Sequence, residues 1–577
     1  MLIAIAATSL LVVSFTVSYN SVEEQLVALY GARRTAVHFS PAVWDAAVLR
    51  LRVASAVLLL LAAAIAAWHE RLNRSINTVW SAVFYSLRHE CRAKLRLPRA
   101  EAITVAALTV LGIFLRIRFL QQPMRCDESA TVLGYASKPF YVGMSLYNEP
   151  NNHIFHTLLV HFAIKVAGSA EWAVRLPAFL AGSVLTLLVF VFARRLGGPL
   201  TALMAAAFAS TSSVLIEYST NARGYTIMWC ATAAVLISGY ETFRRASPTW
   251  FLVLAISAVI GFWTIPVFVM PFGGIVIWVV WEVMGRPPRF RRLYWKRLGI
   301  TCLSIWIATS FAYLPPLLVS GTHRLLENHP ASVRNQLVAS RALQSFLLRN
   351  LAQFLYACYL WTRDLPIWFA YLMGAAFFCS LALSSRNRRL VISLFGWAVL
   401  LLAVTHMAPF ARNWLCFLPV VITGCAMSLA WFFEHLVPAS LQRAAPALAF
   451  ILGILLAWPI LKNASVLKSP ETGVLPSASQ IATYVDSEHI SPERVFRSPM
   501  SDLPFEYYWW RRTGTQPQVP TIDSVDGSGR YDAWFLLNGT YHENLDAAAK
   551  RRGFHDLSVT QEVSFAGAQL YHVNCSR

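Results

Sequence analysis

LRIRFLQQPMRCDESA, residues 115–130, is the stretch whose reading decides the fold. An apolar run ends in it, and an Asp127-Glu128 pair follows within a few residues, beside Arg116, Arg118 and Arg125. Two adjacent carboxylates at a membrane surface can take a proton from a hydroxyl or hold a cation, and the arginines can draw an anion to the same place. The plain alternative is a helix N-cap and first-turn acid serving Ser129 to Ser137. Both readings are open at this point.

Working outward, the 577 residues are 56% hydrophobic and 14% charged. A chain of this length that apolar is an all-α polytopic membrane protein, with the lipid bilayer as its first partner. The net charge of +20 sits in short Lys/Arg clusters between apolar runs. That is a topology signal, and nucleic acid is not expected as a partner. Nine scattered Cys without a Cys-x-x-Cys spacing indicate neither a zinc site nor a disulfide framework.

Leu2 to Ser18 is apolar, lacks a basic leader and reads as a retained first span; Val53 to Trp68 reads as a second. His69 to Arg99, with seven Lys/Arg and interleaved Trp80, Phe84 and Tyr85, reads as an interfacial segment that sets orientation. Further spans are expected at 102–120, 173–193, 199–218, 225–242, 250–265, 267–284, 298–320, 366–384, 390–407, 413–433 and 444–461, about thirteen in all. The prolines Pro266 and Pro271 predict a bent pair between two of them. The basic connections at Arg194-Arg195, Arg244-Arg245, Arg286 to Arg297 and Arg386 to Arg389 fall on one side if the N-terminus is inside. Asp127-Glu128, Arg223, the connection 320–365, Arg412 and everything after about 462 then lie outside, the arrangement expected in a bacterial inner membrane.

Three domains follow: 1–100, two helices and the basic segment; 101–461, the membrane domain; and 462–577, a small soluble α/β domain. In the last, Arg494 to Ser498, Asp532 to Leu537 and Leu570 to Val573 read as strands, and Pro504 to Arg512 and Leu545 to Arg552 as helices. That domain could recognise an acceptor or cap the membrane part. Its aromatic run Tyr507 to Trp510 suits either sugar stacking or packing. The connection Gly321 to Pro366 carries Arg324, Arg334, Arg341, Arg349 and Arg363, and reads as an amphipathic helix over the site or as a head-group-contacting face.

The expected spans hold few ionisable residues, and Arg116, Arg118, Arg175, Glu217 and His406 all lie near their outer ends. An ion-coupled transporter needs titratable groups near the bilayer midplane, whereas an enzyme working on lipid head groups needs them at one surface. Enzyme therefore ranks above transporter.

The run NNHIFHTLLVHFAIKVAGSAEWAVRLPAFLAGSVLTLLVFVFARRLGG (Asn151 to Gly198), followed by IEYSTNARGYTI (Ile216 to Ile227), resembles the core of the GT-C glycosyltransferases that use polyprenyl-phosphate sugars, in particular protein O-mannosyltransferases and aminoarabinose transferases. The matching pieces are the Asp127-Glu128 pair after a span, the E-x-A-x-R-L-P element (Glu171 to Pro177), the Arg-Arg exit and the A-R-x-Y turn (Ala222 to Tyr225). The likeness covers Leu108 to Ile300; beyond it, PFARNWLCFLP (Pro409 to Pro419) is similar to a late element of these enzymes. Asn151-Asn152-His153 stands where many relatives have His-Pro-Pro or Lys-Pro, so a lysine contact to the lipid phosphate would have to come from elsewhere.

The resemblance implies transfer of a sugar from a polyprenyl phosphate to an acceptor hydroxyl on the outer face, with inversion. Asp127 is then the candidate base, and Glu128 would orient acceptor, phosphate or a divalent cation. Arg223 and Arg412 lead as phosphate ligands because guanidinium meets two oxygens at once; Arg125, Lys138, Arg324 and Arg116 follow. Asn152, His153, His156 and Tyr225 are the candidate donor or acceptor contacts. The lipid-linked sugar is the donor substrate, and whether a divalent cation joins it as cofactor is left open by the sequence. A metal, if any, would sit on Asp127 and Glu128, though two acids are few ligands. The acceptor could be a glycan, a lipid or a protein. The alternatives from other classes are a flippase of lipid-linked sugars and a non-catalytic subunit of an envelope-glycan assembly.

Overall fold

The computed structural model describes residues 2–30, 35, 39–92, 97–147, 151–321, 343–407, 409–517 and 530–576. Every expected span falls on a helix or on a broken helix. Among the described residues eight helices are long and apolar enough to cross a bilayer, and three bent pairs raise that to at most eleven. The expected count of about thirteen is not reached on length and apolarity, because Tyr225–Arg245 carries Glu241, Arg244 and Arg245 and Pro248–Thr264 is only 17 residues long. The second span starts earlier than its apolar run, as Pro41–Ala67, since Ser40 caps it and Pro41 opens it. His69–Arg92 is the expected amphipathic helix, tied to the bundle through Ser86 Oγ, which meets Ser247 Oγ at 2.8 Å.

The basic connections meet at one end of the bundle. Arg195 Nε donates to Glu241 Oε1 (2.7 Å) and Arg389 Nε to Glu282 Oε1 (2.8 Å). Asp127 and the C-terminal sheet lie at the other. Three breaks shape that second end. Pro199–Ser210 and Ser213–Ser219 bend by 58°, the expected proline break separates Pro248–Thr264 from Val269–Met284, and Leu347–Thr362 meets Ile367–Leu383 at 117°. Leu343–Thr362 is the described part of the long connection; Arg324, Arg334 and Arg341 lie outside the described residues.

The C-terminal region forms a four-stranded sheet of β1 (Val495–Arg497), β2 (Arg530–Asn538), β3 (His555–Phe565) and β4 (Ala568–Ser576) in the order β1-β2-β4-β3. β1 and β2 are parallel and the other pairs antiparallel. Ala478–Ser487 and Pro499–Thr513 pack on one face. β3 was not expected, because its polar, exposed alternation lacks the apolar run that marks a buried strand. One apolar cluster joins Leu536, Leu570, Phe505 and Ile481 to Met124, Val132, Val174 and Ala222. The sheet is therefore packed onto the segment that holds Asp127 rather than tethered to it. Tyr507 and Tyr508 are part of this junction. Tyr508 Oη donates to Glu171 Oε1 (2.9 Å) and accepts from the Met124 N–H (3.1 Å), so packing, not sugar stacking, accounts for the pair.

Candidate active site

Helix Cys126–Thr131 begins directly after the span Arg99–Leu120, and its first turn carries both acids. Neighbours on a helix are turned by about 100° from one another, and the two carboxylates separate accordingly. Glu128 is fully buried. Its Oε2 accepts from Arg175 Nε (3.0 Å) and from the Ala222 N–H (2.8 Å), and its Oε1 accepts from the Arg125 N–H (2.8 Å) and Arg175 Nη2. Arg175 also donates to the carbonyls of Leu120, Gln122 and Pro123. Glu128 thus has no free lone pair for substrate or metal; it locks the span end, the acid helix and the Ala222 turn together. The first-turn capping reading is realised on Glu128, whose carboxylate accepts the Arg125 N–H.

Asp127 points the other way and keeps a quarter of its side chain exposed. Its Oδ2 lies 3.6 Å from Arg412 Nη2 and 3.9 Å from Arg223 Nη2 and makes no hydrogen bond to either. Arg412 Nε donates to Tyr225 Oη (2.8 Å). Arg223 donates to Asn151 O (2.8 Å) and Thr131 Oγ1 (3.2 Å). Its Nη2 comes within 3.3 Å of His153 Nε2. His153 Nδ1 accepts the Gly224 N–H (2.9 Å). Burial first, and then the neighbouring Arg223, hold this imidazole well below the ordinary histidine range. The neutral ring therefore carries its proton on Nε2, and the approach of Arg223 sets two donors side by side. His156, one turn on, is fully buried with neither ring nitrogen paired to protein, and burial with Arg223 pushes it down to about 3.

Residues 148–311 match the family described as dolichyl-phosphate-mannose-protein mannosyltransferase. The chain is similar in structure to ArnT from Cupriavidus metallidurans in the apo state, at 13% identity and a TM-score of 0.53, covering 81% of this chain and 97% of that one. The chain shares the GT-C fold of this ArnT. The same ArnT bound to undecaprenyl phosphate aligns at 12% identity over 82% and 97% of the two chains with a TM-score of 0.32. The Archaeoglobus fulgidus oligosaccharyltransferase aligns at 14% identity over 73% and 59%, with a TM-score of 0.42. No curated protein sequence matches the chain.

Several expected contacts do not face Asp127. Arg125 is buried, donating to Glu217 Oε1 (3.0 Å) and to the carbonyls of Val466, Ser469 and Glu471. Arg116 is enclosed in the bundle, donating to Ser219 Oγ (3.1 Å) and Gly112 O (2.9 Å). Asn152 spends its amide on Gly143 O and Leu146 O. Each lies on the inner side of its helix or turn, a fact that sequence distance from Asp127 could not convey. Lys138 stands half-buried at the turn before Pro139, and Arg324 lies outside the described residues. A divalent cation is poorly served, since Glu128 is saturated and Asp127 faces two cations; no group of three or more metal-ligating side chains occurs among the described residues.

One element was missed. Ser469 to Leu475, just past the last apolar helix, folds back as a strap over the acid segment. The Cys126 N–H donates to Gly473 O (2.9 Å) and the Asp127 N–H to Thr472 O (3.1 Å). Asn221 Nδ2 donates to Thr472 Oγ1 (2.9 Å), and Tyr218 Oη to Glu471 Oε2 (3.2 Å). Its only sequence signal is the turn-like Ser469-Pro-Glu-Thr-Gly473, which says that the chain reverses but not where it lands.

Proposed function

We propose that this protein transfers a sugar from a polyprenyl phosphate to an acceptor hydroxyl at the outer face of the membrane, inverting the anomeric centre, with Asp127 as the base. The observation that carries the reading is a carboxylate held between two guanidiniums, 3.6 and 3.9 Å away, without a hydrogen bond to either. The hydroxyl oxygen bonds to the anomeric carbon as the bond from that carbon to the phosphate oxygen breaks, and the hydroxyl proton passes to Asp127. A positioned base of this kind supplies about 10²- to 10⁴-fold.

The charges balance within the site. Before transfer, Asp127 and the donor phosphodiester each carry a negative charge; afterwards Asp127 is neutral and the released phosphate monoester carries nearly two at neutral pH. Arg223 and Arg412 exchange one anionic partner for the other as the charge moves. His153 Nε2–H and Arg223 Nη2–H, two donors side by side, are satisfied by an anion between them. The family description, which names a dolichyl phosphate, supports a polyprenyl-phosphate donor. The arginine-rich connections gathered at the opposite end support an outward-facing site through the positive-inside rule. The bilayer and the lipid-linked sugar are the partners, and the acceptor is a glycan, lipid or protein hydroxyl.

The test is to incubate the purified protein with a defined polyprenyl-phosphate sugar and an acceptor extract. Release of free polyprenyl phosphate together with an inverted glycoside is expected. Failure to consume any lipid-phosphate sugar, across donors of different sugars, would overturn the proposal.

A further inference from the structure

Arg412 meets a second acid besides Asp127. Glu471, on the strap, lies within electrostatic reach of the Arg412 guanidinium, which also faces Tyr225, Asp127 and Tyr218. The route between the two acids is traced through named contacts. Asp127 Oδ2 lies 3.6 Å from Arg412, whose Nε donates to Tyr225 Oη (2.8 Å); the Tyr225 ring packs edge-on to Tyr218 (5.1 Å), whose Oη donates to Glu471 Oε2 (3.2 Å). Tyr356, from the helix Leu343–Thr362, faces the same carboxylate. The main chain couples them as well, because Glu471 O accepts from Arg125 Nη1 (2.7 Å) while the next residue, Thr472, accepts the Asp127 N–H. The other acids of this region are matched by closer cations: Glu128 by Arg175, and Glu217 by Arg125 and Arg363. Among the described residues Glu471 has no ion pair and is held by the Tyr218 hydroxyl, so its charge is left to act on Arg412.

We propose that Glu471 is a positioning residue of the transfer site, its fixed negative charge drawing Arg412 back from Asp127 so that the base stays unpaired and the guanidinium stays open to phosphate. The physical reason is the competition for one cation. At 3.6 Å without a hydrogen bond, Arg412 is a short movement from a direct pair with Asp127. A paired carboxylate is both a weaker base and an occupant of the phosphate's ligand. A second anion, reached through Tyr225 and Tyr218, competes for the same guanidinium and opposes that closure. This inference rests on the base role assigned to Asp127 above.

The experiment is the pH dependence of kcat in the full-length protein, with a polyprenyl-phosphate sugar at saturation. The groups that face Asp127 are Arg223 and Arg412; those that face Glu471 are Tyr218, Tyr356, Tyr541 and Arg412. In Glu471→Gln, which keeps an acceptor for Tyr218 but loses the charge, the acidic limb should move down by about one pH unit and kcat at neutral pH should fall about tenfold. Glu471→Asp should keep the limb where it is. If the limb is unmoved in Glu471→Gln, or if the Asp and Gln variants behave alike, the role is structural and the proposal falls. Should Glu471→Gln not fold, Tyr218→Phe releases the carboxylate while keeping its charge; a smaller shift in the same direction is expected there, and an unmoved limb overturns the proposal. Asp127→Asn separates the two claims. If it turns over normally, the base reading fails; if it is dead while the Glu471→Gln limb is unmoved, only the role of Glu471 fails.

Discussion

Replacing Asp127 by Asn should separate catalysis from binding with opposite signs. The substitution is nearly isosteric and removes one charge from between two guanidiniums at 3.6 and 3.9 Å. At an effective dielectric near 20, each such pair carries about 4 kcal/mol of gross attraction, of which desolvation leaves only a fraction. The Asp127 carboxylate competes with the donor phosphate for both cations. Without it, the donor should bind about tenfold more tightly, equivalent to about 1.4 kcal/mol. Turnover should fall about 10²- to 10⁴-fold for want of a base. Binding of a fluorescent polyprenyl phosphate and single-turnover sugar transfer, measured on the same purified protein, check both halves. Turnover within tenfold of the unmodified protein would refute the base assignment. Loss of binding together with turnover would show that Asp127 holds the site together, not that it takes the proton.

Three further outcomes follow from other parts of the site. Arg175→Ala leaves Glu128 buried without its cation, and should cost about 3–5 kcal/mol, seen as a large fall in melting temperature; Glu128→Gln in the same chain should recover part of it. At Gly473, φ is +75° and an added Cβ would lie 2.6 Å from the Cβ of Cys126. Gly473→Ala should therefore lift the strap from Asp127 at a cost of about 1–3 kcal/mol, lowering kcat more than donor affinity. His156 is held neutral with its folded value near 3, below an unfolded value of about 6.5. The unfolded chain binds the extra proton, so the stability is intact above pH ~6.5 and drains as pH falls toward 3, by about 2 kcal/mol at pH 5. His156→Leu should flatten that acid-side decline in thermal melts; an unchanged profile would place the titration elsewhere.

The membrane architecture was legible because it is a one-dimensional property. Apolar runs of bilayer length and arginine clusters between them are visible without knowing any contact, and every expected span lies on a helix or on a broken helix. Two of the C-terminal helices and three of the four strands were legible for the same reason, while Ala478–Ser487 was not marked and β3 hid behind its polar surface. The Asp127-Glu128 pair, Arg223, Arg412, His153 and Tyr225 were also marked, since their order along the chain follows a family pattern and the structure brings them together.

Which member of a pair does what was decided only in three dimensions. Asp127 and Glu128 are chemically equivalent in sequence, and the turn between them sends one toward Arg223 and Arg412 and the other into Arg175. Arg116 and Arg125 looked like surface cations, yet each is buried and donates to protein groups away from Asp127. Glu471 carried no signal at all, for its importance arises from a strap that closes over residues more than three hundred positions earlier. The sequence by itself determined that the chain crosses the membrane many times and keeps its charged chemistry at one end. Tertiary structure alone decided which carboxylate is unpaired, because pairing depends on distances between residues that the chain order does not place together.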